Sequence, residues 1–276
     1  MSKRAVIISV VIGCILLAIA NVSLWITLNV LNAERFGELV AEGLQSQEAS
    51  QAIAGEVVDH FLSDYPVVRA VAGPVAEDLI AGLLQHEILT SAIETVATAT
   101  NLALTKDLRD FIPLKVQEIA PFVVGVVYAV DPVLAEQISA TLTSEPITLL
   151  TIDELPNLST VSGILPWIWP IAALAALGLF LLAVFRGSDR ARSVVYTGAG
   201  IAITGGIMLL FIPAIRLTST GNIETSTALV VVGSVVDALI RGYIIQDILL
   251  IIVGLIIVLA GRNSQSEAQE AVSASE

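Results

Sequence analysis

The stretch AVIISVVIGCILLAIANVSLWITLNVL, Ala5–Leu31, runs for 27 residues without a charged side chain. As a helix rising 1.5 Å per residue it reaches about 40 Å, more than the roughly 30 Å hydrocarbon core of a bilayer. Three further apolar runs follow: LPWIWPIAALAALGLFLLAVF (Leu165–Phe185), VVYTGAGIAITGGIMLLFIPAI (Val194–Ile215) and YIIQDILLIIVGLIIVLAG (Tyr243–Gly261). Backbone N–H and C=O groups in lipid must be satisfied within the segment, so each run is predicted to be a membrane-spanning helix. Composition agrees. The chain is 55% hydrophobic and 14% charged, against about 45–50% and about 25% in soluble domains.

Charge divides the chain in two. Asn32 to Leu165 holds 19 acidic and 5 basic residues, a balance of -14; the remainder holds 7 and 8, a balance of +1. An acidic surface of that kind repels phosphates, which excludes nucleic acid as a partner. The lone Cys14 lies inside the first apolar run. One cysteine builds neither a disulfide framework nor a cysteine-based metal cluster.

Orientation follows from FRGSDRARSVV, residues 185 to 195, which places Arg186, Arg190 and Arg192 between the second and third runs. Short loops rich in Lys and Arg stay in the cytoplasm. Lys3 and Arg4 put the N-terminus on the same side, and Arg262 does so for the C-terminus. Four spans with both ends cytoplasmic leave residues 32–165 extracytoplasmic. Trp25, Trp167, Trp169 and Tyr243 all fall at the outer interface, the level that indole and phenol rings favour. Two rival readings of the N-terminus, cleavage after Ala20 and lipidation of Cys14, both call for a polar mature start. The apolar run instead continues to Leu31, so the segment is read as an uncleaved anchor.

The expected fold class is an all-α membrane protein, with four transmembrane helices and a mainly helical extracytoplasmic domain carrying a short β-hairpin. Its parts are an N-terminus and first span (1–31), the acidic outer domain (32–164), spans two to four (165–261) with a cytoplasmic turn (186–193) and an outer segment (216–242), and a disordered cytoplasmic tail (262–276). In the outer domain, Phe36, Leu39, Val40 and Leu44 extend the first span's helix with 3.6-residue periodicity. Ile53, Val57, Phe61 and Leu62 form a second stripe. Pro74 suits the first turn of a third helix, and Ser91 with Glu94 has capping-box spacing for a fourth. PITLLTI (Pro146–Ile152) is β-branched and short, with LRDFI (Leu108–Ile112) as its strand partner. Thr225–Gly242 reads as a separate interfacial helix or as an extension of the fourth span.

These features resemble a family of uncharacterised four-span bacterial membrane proteins of actinobacterial type, which carry an extracytoplasmic helical domain between spans one and two. The matching residues are AERFGELVAEGL after the first span, the short strand PITLLTIDELP, a Leu-Pro- and Trp-led second span and the Arg-rich turn. Many relatives carry a Trp and a His in the helix corresponding to SAIETVATATNLAL, where this sequence has neither. The resemblance implies a topology and no catalytic residues. Claudins and tetraspanins share four spans but require cysteines in their outer loops, which excludes both.

Glu56, His60 and Asp64 are spaced i, i+4, i+8 and share a helix face, a spacing compatible with zinc. A solvated polar face with a His between two acids is the preferred reading, since no HExxH-type signature supports the metal. The carboxylate pairs Glu77/Asp78, Asp107/Asp110 and Asp153/Glu154 lack the other parts of a catalytic site. No nucleophile elbow, phosphate-binding loop or dinucleotide fingerprint is present. The chain is therefore read as a non-enzyme without a cofactor. Within the spans, Asn21, Asn29 and Asn32 share a face with Trp25 and are read as polar links between helices. Gly198, Ala202 and Gly206 form a small-residue stripe for close packing, with Ala172, Ala173 and Ala176 of the second span opposite. Asp237 and Arg241, i and i+4, are expected to pair. Asp247 lies near the outer end of the fourth run, so no span is assigned a central ionisable residue. The leading functional expectation is a membrane-anchored interaction or cell-envelope module, whose partners are the lipid bilayer and a protein met through the outer domain. The alternative is a transporter, channel or lipid-handling component whose outer domain caps a membrane cavity.

Overall fold

The computed structural model describes residues 3–63, 66–106, 158–187, 189–220 and 226–273. Among them every regular element is helical: α1 (Lys3–Trp25), a π-helical turn (Ile26–Val30), α2 (Ala33–Leu44), α3 (Gln47–Leu62), α4 (Pro66–Leu84), α5 (Glu87–Lys106), α6 (Ser159–Arg186), α7 (Arg190–Thr220) and α8 (Ser226–Ser273). Among the described residues, four helical stretches are long and apolar enough to cross a membrane: Lys3–Val30, Ser159–Arg186, Arg190–Thr218 and Ser226–Ser264. Large apolar side chains such as Leu174, Leu210 and Leu259 stand exposed around these helices. In water that surface would be strongly unfavourable; in a bilayer it is the lipid-facing surface. The chain is thus a multi-pass membrane protein. The expected hairpin segments, Leu108–Ile112 and Pro146–Ile152, lie outside the described residues.

The spans pack as two pairs, α1 with α6 and α7 with α8, joined chiefly where α1 meets α7. The α1–α6 seam is built from Val6, Val10, Ala176, Phe180 and Ala183, with Ile201 of α7 closing the cluster. Gly13 makes room for the Phe180 ring, which a Cβ there would meet at 2.5 Å. The α7–α8 seam is tighter and involves backbone. A Cβ on Gly198 would lie 2.7 Å from Gly254 O, and one on Gly254 would lie 2.5 Å from Ala202 N. Small residues let two backbones approach closely enough for dispersion to hold helices together in lipid.

Several sequence expectations change in the folded chain. The first span does not run on into α2. Leu31 N donates to Ile26 O at 2.9 Å, five residues back, and Asn32 then turns extended (φ -84°, ψ 107°) and caps α2 by accepting from Arg35 N at 3.2 Å. The π turn frees the carbonyl of Val30, and Asn101 of α5 donates to it at 2.6 Å. Pro66, not Pro74, takes the first turn of a helix; Pro74 sits inside α4. Ser91 and Glu94 lie inside α5, which begins at Glu87. The residues read as a disordered tail, 262–276, continue α8 as far as Ser273. Beyond Gly261 the chain has no Gly or Pro and is rich in Ala, Glu and Gln, so an existing helix propagates without a new nucleation cost.

Of the two readings of Thr225–Gly242, the extension holds from Ser226 onward: α8 is one helix of 48 residues. Its first half leaves the spans and packs against α2 and α3. A Cβ on Gly43 would lie 2.5 Å from Val235 Cα, so α2 and α8 touch backbone to backbone. Arg241 pairs with Glu42, and Thr227 Oγ1 donates to Glu56 at 2.9 Å. At its other end, α5 is tied to α6: Leu158 N donates to Leu104 O at 3.1 Å and Ser162 Oγ to Thr105 O at 2.5 Å. These bonds satisfy carbonyls that a helix C-terminus leaves open. The aspartate within the arginine turn has a structural reason too. Asp189 accepts from Arg192 N at 3.0 Å and caps α7.

Candidate functional site

The seam between α7 and α8 leads to a polar centre. Descending α7, the close approaches fall on Gly198, Ala202 and Gly205, opposite Val258, Gly254 and Ile251 of α8. A Cβ on Gly205 would stand 2.9 Å from the carbonyl oxygen of Asp247. This approach seats Asp247 against α7, and α1 closes over it from the third side. Asp247 is 0% exposed. Asn21 of α1, itself buried, donates from Nδ2 to Asp247 Oδ1 at 2.6 Å and contacts Met208 Sδ of α7 at 3.5 Å. Gln246 Nε2 donates to the Asn21 carbonyl at 3.2 Å. The second carboxyl oxygen of Asp247, Oδ2, is enclosed and has no hydrogen-bond partner.

One helical turn further, the same two helices carry an aromatic pair. Trp25 follows Asn21 by four residues, and Tyr243 precedes Asp247 by four. Their rings meet edge to face, centroids 5.5 Å apart at an interplanar angle of 68°. Trp25 Nε1 donates to Leu239 O at 3.2 Å, so the indole is fixed at both edge and face. The aromatic level legible in the sequence is therefore a contact between α1 and α8, laid directly over the Asn21–Asp247 pair.

For Asp247 the fold adds enclosure. α8 begins at Ser226 and its first half packs against α2 and α3, so Asp247 keeps its place near the α2–α3 end of the apolar run, one turn beyond Tyr243, and its carboxyl group is enclosed within the bundle. Asn21 is an interhelical link, as expected. Asn29 bonds within its own helix, donating to Trp25 O at 3.0 Å, while its Oδ1 would meet a Cβ on Gly242 at 3.3 Å. Gly198 and Ala202 pack closely, but their partner is α8; Ala172 and Ala176 are buried on α6, which pairs with α1. Gly206 does not belong to the seam. A Cβ there would meet nothing within 4 Å, and Gly205 takes its place. Asp237 and Arg241 do not pair with each other: Asp237 binds Arg216 at 2.9 Å and Arg241 binds Glu42. Each finds a partner on another helix, because α8 is flanked by α2 and α7 along this stretch.

The metal candidates disperse. Glu56 and His60 are exposed on α3, Glu56 holding Thr227; Asp64 lies outside the described residues. Asp59, between them, pairs with Arg69 of α4. Among the described residues no group of three His, Cys, Asp or Glu side chains is placed to hold a metal ion. Of the carboxylate pairs, Glu77/Asp78 sits on α4 and the other two lie outside the described residues. An open groove of about 480 Å³ runs between α2 and α5, lined by Glu34, Glu38, Glu94 and Thr98. Glu38 there is paired with Arg35 at 2.6 Å. The sequence signal for this groove was the i, i+4 spacing of Glu34 and Glu38, which by itself describes any solvated helix face.

No family model, no curated protein and no solved structure matches this chain.

Proposed function

We propose that the chain is a membrane-anchored interaction module, in which four spans hold helices α2–α5 on the extracytoplasmic side for contact with a protein partner. The carrying observation is α8. One uninterrupted helix runs from the spans into the body of the module and is fixed there through Gly43, Glu42 and Glu56. Such a joint fits a unit that must be presented in a fixed attitude to the membrane, and a flexible tether would not provide it. Orientation rests on the arginine turn at 186–193 and on the basic residues at both ends. The module also carries apolar surface away from the spans: Val67, Val71 and Val75 of α4 are 76%, 77% and 68% exposed. Contiguous exposed apolar surface marks places where proteins meet other molecules. The non-enzymatic reading rests on the sequence, which carries no nucleophile elbow, phosphate-binding loop or dinucleotide fingerprint, and the cell envelope is the setting this topology suits.

The second reading, a transporter, channel or lipid-handling component, draws on one observation, the enclosed carboxyl of Asp247. A photo-cross-linking amino acid at position 71, activated in intact cells, separates the two. The interaction reading expects a discrete adduct containing a second polypeptide. Adducts to lipid alone, or none, refute a protein partner on this face.

A further inference from the structure

Helix packing accounts for Asn21 and for the small residues, but not for an enclosed acid within the apolar run of α8. Asp247 is fully enclosed, one oxygen meets a neutral amide, and the other meets nothing. None of the ion pairs among the described residues includes it. Asn21 of α1 meets its carboxyl group and Gly205 of α7 abuts its backbone carbonyl; Met208 of α7 and Gln246 of α8 hold Asn21, and Tyr243, one turn away on α8, packs on Trp25. Tyr243 is the titratable one among them. Cys14, lower on α1, is engaged with Thr204.

We propose that Asp247 is an exchangeable proton-binding site within the spans, with Asn21 as its adjustable partner and the Trp25–Tyr243 pair as its cover. An anion at this place needs a countercharge and several donors, since the effective penalty for burying an ion is several kcal/mol. The surroundings supply one amide. A proton removes the charge and leaves Oδ2 as a neutral carbonyl oxygen, whose missing partner costs far less.

Asn21 suits both states, because a carboxamide offers donors and an acceptor. With its amide turned one way it donates to the carboxylate; turned the other way it accepts from the carboxylic acid, and gives up only a weak contact to the Met208 sulfur. A metal cation fits less well. Hard cations such as Ca²⁺ gather about six to eight oxygens, whereas the side chains at hand are one carboxyl, one amide and a thioether, the last of which suits soft metals. The aromatic pair stands one turn away, on the side toward which α8 extends, and closes the direct route from that end.

Infrared spectroscopy of the full-length protein in lipid vesicles tests this. The wild-type protein should show a carboxylic-acid C=O band that moves on exchange into D₂O and disappears as pH is raised from about 4 to about 9, a range spanning ordinary and buried carboxyls. The band should be absent in Asp247→Asn. Labelling aspartate with carboxyl-¹³C in wild-type protein should shift it, which assigns the band without relying on the variant's folding. Trp25→Ala should speed the D₂O shift about tenfold by opening the cover, a change of about 1.4 kcal/mol in the opening step. Three results overturn the proposal. One is no aspartic-acid band at any pH. Another is a band indifferent to both pH and D₂O, which would mark a sealed structural acid. The third is a band removed at constant pH when sodium or potassium replaces choline, which would mark a metal-cation site.

Discussion

Gly254→Ala adds one methyl group to the α7–α8 seam. The new carbon would lie 2.5 Å from Ala202 N, 2.7 Å from Gly198 O and 2.8 Å from Ala202 Cβ. Carbon atoms settle at about 3.5–4.0 Å from their neighbours, so α7 and α8 must part by about 1 Å. Two of the three obstructing atoms are backbone and cannot swing aside. A gap of about 0.5–1 Å costs a quarter to a half of each contact's well depth, and Gly198, Gly205 and Gly261 share the same line of contact. Overpacking of this kind destabilises by about 1–3 kcal/mol. Alanine should fall in the upper half of that range and Gly254→Leu beyond it. Gly206→Leu, directed into open space, should stay within about 0.5 kcal/mol of wild type, as surface substitutions do. Thermal unfolding of the protein in lipid nanodiscs, followed by circular dichroism, measures the series. The expected order of midpoints is wild type with Gly206→Leu, then Gly254→Ala, then Gly254→Leu. Wild-type stability in Gly254→Ala, or equal losses in the two leucine variants, would refute the seam.

Asn101→Ala leaves the Val30 carbonyl of the π turn without its 2.6 Å donor; we expect a loss of about 1–3 kcal/mol and faster amide exchange at Leu31, whereas unchanged exchange would show the turn to be self-supporting. Gly43→Leu should push α8 off α2 while the spans stay packed. A disulfide between cysteines placed at Glu56 and Thr227, efficient in the parent, should then form poorly, and undiminished cross-linking would contradict the docking. For orientation, single cysteines at Ser63 and Ser266 in a Cys14→Ser background should behave oppositely in intact cells: an impermeant thiol reagent should label position 63 and spare 266. The reverse pattern would invert the topology.

The four spans were legible because length and hydropathy decide them, and lipid leaves the backbone no other choice. Their partners were not. Gly198 and Ala202 announce a close contact, but α6 and α8 both offer small residues, and the choice of α8 depends on Gly254 and Gly261 falling into register. Gly205 and Gly206 are both small and adjacent, so the pattern could not say which faced the neighbour. The enclosure of Asp247 was not legible, because the groups that close over it, Asn21 and Gly205, come from α1 and α7. The break after Leu31 had no signal that periodicity reads, because a π turn changes the register without Gly or Pro. Asn21 was legible as a link, since a polar amide in lipid seeks a partner, although the identity of that partner required the fold.

A continuous helix is also a lever. From Asp247 to Ser226, α8 covers 21 residues, about 32 Å at 1.5 Å per residue. Pivoting at the Asn21–Asp247 pair, a tilt of about 10° would carry its start by about 6 Å and take α2 and α3 with it. Spanning helices change tilt to match the thickness of the bilayer around them. The attitude of α2 and α3 would then follow the thickness of the membrane, so that lipid composition becomes an input to the face the protein presents.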